Sequence, residues 1–187
     1  MKPYSPDEFE KTLWSAEQIQ QRVRELSEQI RADYAEMGGE DAIVAVGLMR
    51  GAMPFMADLG RYMDIAMEYD LCWLSSYVDS DRPGEVELVQ DVRTDLEGRH
   101  VLVVEDIVDT GHTLKFTNEL FGSRNPASLR TCCLLDKKPR REVEVPVEYV
   151  GFTMEEDEFV IGYGLDYAGR YRNLPYIGVL HPRMYQK

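Results

Sequence analysis

The sequence predicts an open, mainly parallel α/β sheet flanked by helices, on three observations. Short apolar runs alternate with segments of helical apolar spacing along most of the 187 residues. Several runs, such as AIVAVGL at 42–48 and VLVV at 101–104, are apolar at consecutive positions, as in strands buried on both faces. The most unusual stretch, VLVVEDIVDTGHT at 101–113, sets three carboxylates where a strand gives way to a helix. That is where ligands bind in such sheets.

Each element has its own justification. After Trp14, Ser15 can cap a helix, with Gln18 three residues on as in a capping box. Ile19, Val23, Leu26, Ile30 and Tyr34 then repeat at helical spacing, and Gly38-Gly39 ends the run. Residues 42–48 read as a buried strand, and Met53, Met56, Leu59 and Met63 place a helix behind it. IAMEYDLCWLSSYV reads as a second strand, DSDRPGE as an exposed loop, and VELVQDV as a two-sided strand. RHVLVVEDI is a third buried strand, followed by a helix from about His112 to Phe121. SLRTCCLLD is a fourth, and VEYVGF, FVIGYGL and YIGVL complete the strand candidates.

Length allows one domain, residues 1–187, and the composition, 44% apolar and 29% charged, is that of an ordered globular chain. Thirty-four acids against 21 basic residues give a net charge of -13, which repels nucleic acid and anionic membranes. No run reaches the roughly 18 apolar residues of a membrane span, and the N-terminus lacks a signal-peptide core; a cytoplasmic location is expected. Cys72, Cys132 and Cys133 lie in apolar runs without metal-ligand spacing and are expected to be reduced core thiols.

The chemistry sits at 101–113. A loop opening a helix presents unpaired N-H groups at the positive end of the dipole, so phosphate suits Asp109, Thr110, Gly111, His112 and Thr113. Gly111 permits close approach, and Thr110 and Thr113 add hydroxyl donors. Neither GxxxxGK[ST] nor GxGxxG is present. Glu105 and Asp106, just before this loop, can accept hydrogen bonds from vicinal sugar hydroxyls and hold hydrated Mg²⁺. A ribose 5-phosphate meets both requirements.

VLVVEDIVDTGHT resembles the 13-residue phosphoribosyl-pyrophosphate (PRPP) motif of the type I phosphoribosyltransferases. From about Val44 to Leu180 the chain is similar to the hypoxanthine-guanine branch, through VGLMRGAMPFMADL, SSY, LLDKKPRREVEVPVEYVGF and DEFVIGYGLDYAGRYRNLPYIG. The resemblance implies the type I phosphoribosyltransferase fold, a twisted sheet with a small hood over the base site built from the N-terminal and C-terminal segments. It also implies a homo-oligomer, a dimer or tetramer, acting on small molecules and binding neither nucleic acid nor membrane.

The implied activity is purine salvage: Mg²⁺-dependent transfer of 5-phosphoribosyl from PRPP to N9 of hypoxanthine or guanine, giving IMP or GMP and pyrophosphate. Carried over residue by residue, Glu105 and Asp106 match ribose-binding and metal-associated acids, and Asp109, Thr110, Gly111, His112 and Thr113 the 5-phosphate loop. Asp109 also matches the general base or acid at N7. Leu48, Met49, Arg50 and Gly51 match a pyrophosphate loop that often holds a non-proline cis peptide, with Leu48-Met49 as the bond in question. Arg172 matches a further pyrophosphate contact. Lys137 matches the donor to the 6-oxo group, Phe159 the stacking aromatic, Val160 the backbone at the base edge, and Asp166 a residue of the base site and metal ligand. Ser76 and Tyr77 match the start of a flexible loop. Lys138 is expected to be a solvated control for Lys137. Two rival readings are a PRPP-sensing nucleic-acid regulator, disfavoured by the charge, and an enzyme of the same fold acting on adenine, xanthine or uracil.

Overall fold

The computed structural model describes residues 4–37, 43–76 and 86–186. Its larger sheet has six strands in the order β4-β3-β2-β5-β6-β7. They are β2 (Ile43–Met49), β3 (Met67–Ser76), β4 (Val86–Gln90), β5 (His100–Val108), β6 (Ser128–Lys137) and β7 (Tyr149–Met154). All neighbours are parallel except β4, which pairs antiparallel with β3 at the edge.

Period-2 geometry explains the consecutive apolar residues in the central strands. Ile43, Ala45, Leu102, Val104, Cys132 and Leu134 join one core with α1 (Ala16–Glu36) and α2 (Met53–Met63). The intervening Val44, Val46, Val101, Val103 and Cys133 join a second core with Leu114 and Phe121 of α3 (His112–Gly122). Each strand is therefore apolar on both faces because each face carries a helical layer. All three cysteines are buried and free. Ser15 caps α1, its Oγ accepting from the Gln18 N-H while Gln18 Oε1 accepts from the Ser15 N-H.

A second, three-stranded antiparallel sheet orders β1 (Phe9–Trp14), β9 (Ile177–Leu180) and β8 (Val160–Ile161). It joins an N-terminal strand to two C-terminal ones, and Trp14 stacks on Phe152 of β7 at 4.7 Å between centroids. Sequence reading missed β1, whose register shifts between Phe9 and Lys11 and between Thr12 and Trp14 break the alternation that marks a strand. The FVIGYGL strand is shortened to Val160–Ile161, because the chain turns at Gly162 and bridges back to Leu165. Gly38, Gly39, Tyr77 and the DSDRPGE stretch lie outside the described residues.

The chain order reverses between β2 and β5: β3 follows β2 outward on one side, and β6 and β7 follow β5 on the other. The carboxyl ends of β2 and β5 therefore open a crevice of the kind that holds ligands in open α/β sheets. The turn 48–51 and the run 105–113 both end there.

Candidate active site

A cleft of about 200 Å³ lies over these strand ends, lined by Asp106, Ile107, Asp109, Lys137, Arg140, Glu158, Phe159, Val160, Leu165 and Asp166. Six of the ten are residues singled out from sequence, and they come from β5 and its following loop, from β6, and from β8 and the segments flanking it. Acids of the sugar-phosphate motif thus share one space with the lysine and aromatic assigned to the base.

Glu105 lies deeper, 8% exposed, with Oε2 buried and without a hydrogen-bond partner. Burial, and then repulsion from the adjacent Asp106, push its carboxyl well above the ordinary carboxylate range. Asp106 packs against the turn after β2: a Cβ on Gly51 would fall 1.7 Å from Asp106 Oδ2. In that turn the cis peptide joins Met49 to Arg50, one bond later than Leu48-Met49, the bond left in question by the sequence. The Leu48 side chain belongs to the core, leaving only its backbone for a ligand. Arg50 reaches toward β3, its guanidinium 4.8 Å from the Trp73 ring centroid. Ser76 ends β3, where its backbone pairs with Val86.

The loop into α3 is shaped from outside. Gly111 has φ +94°, and a Cβ there would meet the Val143 carbonyl at 2.3 Å, so glycine is required on both counts. Thr110 O accepts from the Glu142 and Val143 N-H groups, and His112 Nε2 lies 2.9 Å from Glu142 Oε2. Arg141 donates to the carbonyls of Val108 and Asp109 and, at 2.5 Å, to the buried Asp136 carboxylate. These bonds hold the loop open at the α3 N-terminus, where Gly111 leaves the first-turn N-H groups without a side-chain acceptor. Asp109 has Oδ2 3.3 Å from Arg140, while its Oδ1 is buried without a hydrogen-bond partner.

Among the residues the resemblance assigns to the base, Lys137 is 5% exposed and contacts Asp157 and the Glu158 carbonyl. Phe159 is 37% exposed, stacked on Tyr185 at 4.9 Å and edge-on to Tyr167 at 5.6 Å. Asp166 is paired with Arg172 at 2.6 Å and accepts from the Gly169 N-H, and Arg172 also donates to Gly164 O. Lys138 is exposed, as expected, and its ammonium also lies 2.6 Å from the buried Asp136. Sequence reading passed over Arg140, Arg141, Asp136, Asp157 and Glu158. For Asp136, Arg140 and Arg141 the available signal was the density of charge in DKKPRRE, directly at the carboxyl end of a buried strand.

The sequence and fold have close counterparts. A family model described as phosphoribosyl transferase domain matches residues 12–168. The chain is 44% identical over 180 residues to the hypoxanthine-guanine phosphoribosyltransferase of Bacillus subtilis (strain 168), covering 96% of this chain and 97% of that protein. It is 49% identical over 162 residues to the hypoxanthine phosphoribosyltransferase of Salmonella typhimurium, covering 86% and 89%. The solved hypoxanthine phosphoribosyltransferase of Trypanosoma cruzi in complex with the product IMP matches with a TM-score of 0.90 at 38% identity, covering 98% of this chain and all of that one. With a family model matching most of its length and relatives at 44% and 49% identity, the chain belongs to the phosphoribosyltransferase family, in the branch of the hypoxanthine and hypoxanthine-guanine enzymes.

Proposed function

We propose that this enzyme transfers 5-phosphoribosyl from PRPP to N9 of a 6-oxopurine, hypoxanthine or guanine, giving IMP or GMP and pyrophosphate. The convergence of Asp106 and Asp109 with Lys137, Phe159 and Val160 on one cleft carries this reading. A ligand filling it meets sugar-phosphate chemistry at one end and base chemistry at the other. The Bacillus subtilis relative, a hypoxanthine-guanine phosphoribosyltransferase, and the Trypanosoma cruzi enzyme in complex with the product IMP support the same substrates.

On this reading the residues divide the work. The N-H groups opening α3, with Thr110 and Thr113, would bind the 5-phosphate. Glu105 and Asp106 would accept the ribose hydroxyls. Phe159 stacks on the purine, the Val160 backbone meets its edge, and Lys137 donates to the 6-oxo oxygen. Asp109, whose Oδ1 lacks a partner, would hold the proton exchanged at N7 while N9 attacks C1. Arg172 and the backbone of 48–51 would face the departing pyrophosphate, neutralising charge that grows in the transition state.

The donor set fits Mg²⁺. No group of three or more His, Cys, Asp or Glu suited to a metal occurs among the described residues. Mg²⁺, however, commonly uses one or two carboxylates and takes its remaining ligands from water and phosphates. The orphaned Glu105 Oε2 and the repulsion between Glu105 and Asp106 are the features a nearby cation would relieve. Glu105, Asp106 and Asp166 would hold the ion, which when bound supplies charge neutralisation to pyrophosphate. No helix among the described residues is long and apolar enough to cross a membrane. The homo-oligomer and the cytoplasmic location rest on the family resemblance and the sequence reading.

Incubation with PRPP, Mg²⁺ and hypoxanthine should give IMP and pyrophosphate in equal amounts, stop on EDTA addition and resume with excess Mg²⁺. Absence of nucleotide, or turnover unaffected by EDTA, overturns the proposal.

A further inference from the structure

Lys137 reaches the cleft from the end of β6 and is almost entirely buried. Its ammonium lies 2.6 Å from Asp157 Oδ1 and donates to the Glu158 carbonyl at 2.9 Å. An ammonium has three N-H donors in tetrahedral array. With two committed, the direction of the third is set, and Lys137 lines the cleft beside Phe159 and Val160. Both anchors lie on the connection between β7 and β8, immediately before Phe159. The segment that carries the stacking ring therefore also aims the lysine.

Asp157 is unlike its neighbours in this respect. Its side chain is 58% exposed, and it does not line the cleft that Lys137, Phe159 and Val160 share. Glu158 spends its own carboxylate on Lys11 of β1. The Lys137 hydrogen bond, and then its charge, hold the Asp157 carboxyl below the usual range, so it stays an anion through neutral pH. Most exposed ion pairs contribute little, but here the partner is buried. Losing Asp157 would leave the ammonium on one carbonyl, free to turn about its last bonds.

We propose that Asp157 is a positioning residue for base recognition: it holds the Lys137 ammonium so that its remaining N-H points at position 6 of the purine. This rests on the reading of Lys137 as donor to the 6-oxo group. Asp157 then contributes to the choice of 6-oxopurines over adenine without touching either.

The test is a double-mutant cycle with Lys137→Ala, Asp157→Ala and the double variant, plus Asp157→Asn, measuring KM for hypoxanthine, KM for PRPP, and kcat. Hydrogen bonds to charged groups are strong enough that Asp157→Ala should raise KM for hypoxanthine about tenfold or more. KM for PRPP should stay unchanged. Asp157→Asn, which keeps the acceptor, should restore most of the loss. Because Asp157 acts through Lys137, the double variant should be no worse than Lys137→Ala. If Lys137→Ala keeps wild-type hypoxanthine kinetics, the reading of Lys137 itself fails and the proposal falls with it. If Lys137→Ala is impaired while Asp157→Ala is not, or if the two losses add, or if Asp157→Ala raises KM for PRPP equally, Asp157 is overturned and Lys137 stands.

Discussion

Gly51 and Asp106 meet so closely that a Cβ on the glycine would lie 1.7 Å from Oδ2 of the aspartate. The contact joins the carboxyl ends of β2 and β5 where the strand order reverses, and it fixes Asp106 at the wall of the cleft. Gly51→Ala must push the carboxylate or the turn aside. Displacement of a reacting group by about 1 Å can cost on the order of 100-fold in rate. We expect kcat/KM for PRPP to fall by about that factor with a native circular-dichroism spectrum; wild-type kcat/KM would show that the contact has no role in catalysis.

Arg141 and Asp136 are both nearly buried, and the guanidinium also serves the carbonyls of Val108 and Asp109. Removing one partner of a buried pair typically costs about 3 to 5 kcal/mol. Asp136 keeps Lys138, so the lower end applies. Arg141→Ala should lose about 3 kcal/mol in urea unfolding, and Lys138→Ala clearly less, because its head is half exposed. Equal losses would place the weight of the clamp on Lys138.

Asp109→Asn separates proton transfer from binding. General acid-base groups contribute about 100 to 10,000-fold. The substitution should lower kcat by a factor in that range and change KM for PRPP little. Unchanged kcat with weakened PRPP binding would make Asp109 a binding residue only.

The alternation of apolar runs located every central strand, because burial on both faces demands continuous side chains of one kind. The α1 cap was legible too, since Ser15 and Gln18 interact within one turn. β1 was not, because its bulges erase the two-residue period. At the site, the loop 105–113 could be read locally, while Lys137 and Phe159 depended on resemblance. Asp157 was hidden for a physical reason: it meets Lys137 only after β7 has carried the chain away and back. Arg141 was passed over in the same way, although its side chain is almost fully buried against Asp136.

Glu105 gives a pH dependence of definite sign. Burial and Asp106 raise its carboxyl well above the ordinary value of 4.5 in the folded protein. The fold therefore binds this proton more tightly than the unfolded chain does. The associated stability is complete below the ordinary value and lost as pH rises through the folded one. In metal-free protein, Glu105→Gln should raise Tm near pH 7 relative to wild type and change it little near pH 4. The same Tm difference at both pH values would contradict a protonation origin.

Competition between bases tests the central claim most directly. Adenine would place an amino donor against the Lys137 ammonium, leaving buried donors unpaired. Sites built on a specific hydrogen bond can reject such mismatches by about 10,000-fold. Limiting PRPP and Mg²⁺ should be supplied with equal hypoxanthine, guanine, adenine, xanthine and uracil, and the nucleotides separated. The account predicts IMP and GMP with essentially no AMP or UMP; AMP or UMP as a major product would contradict it.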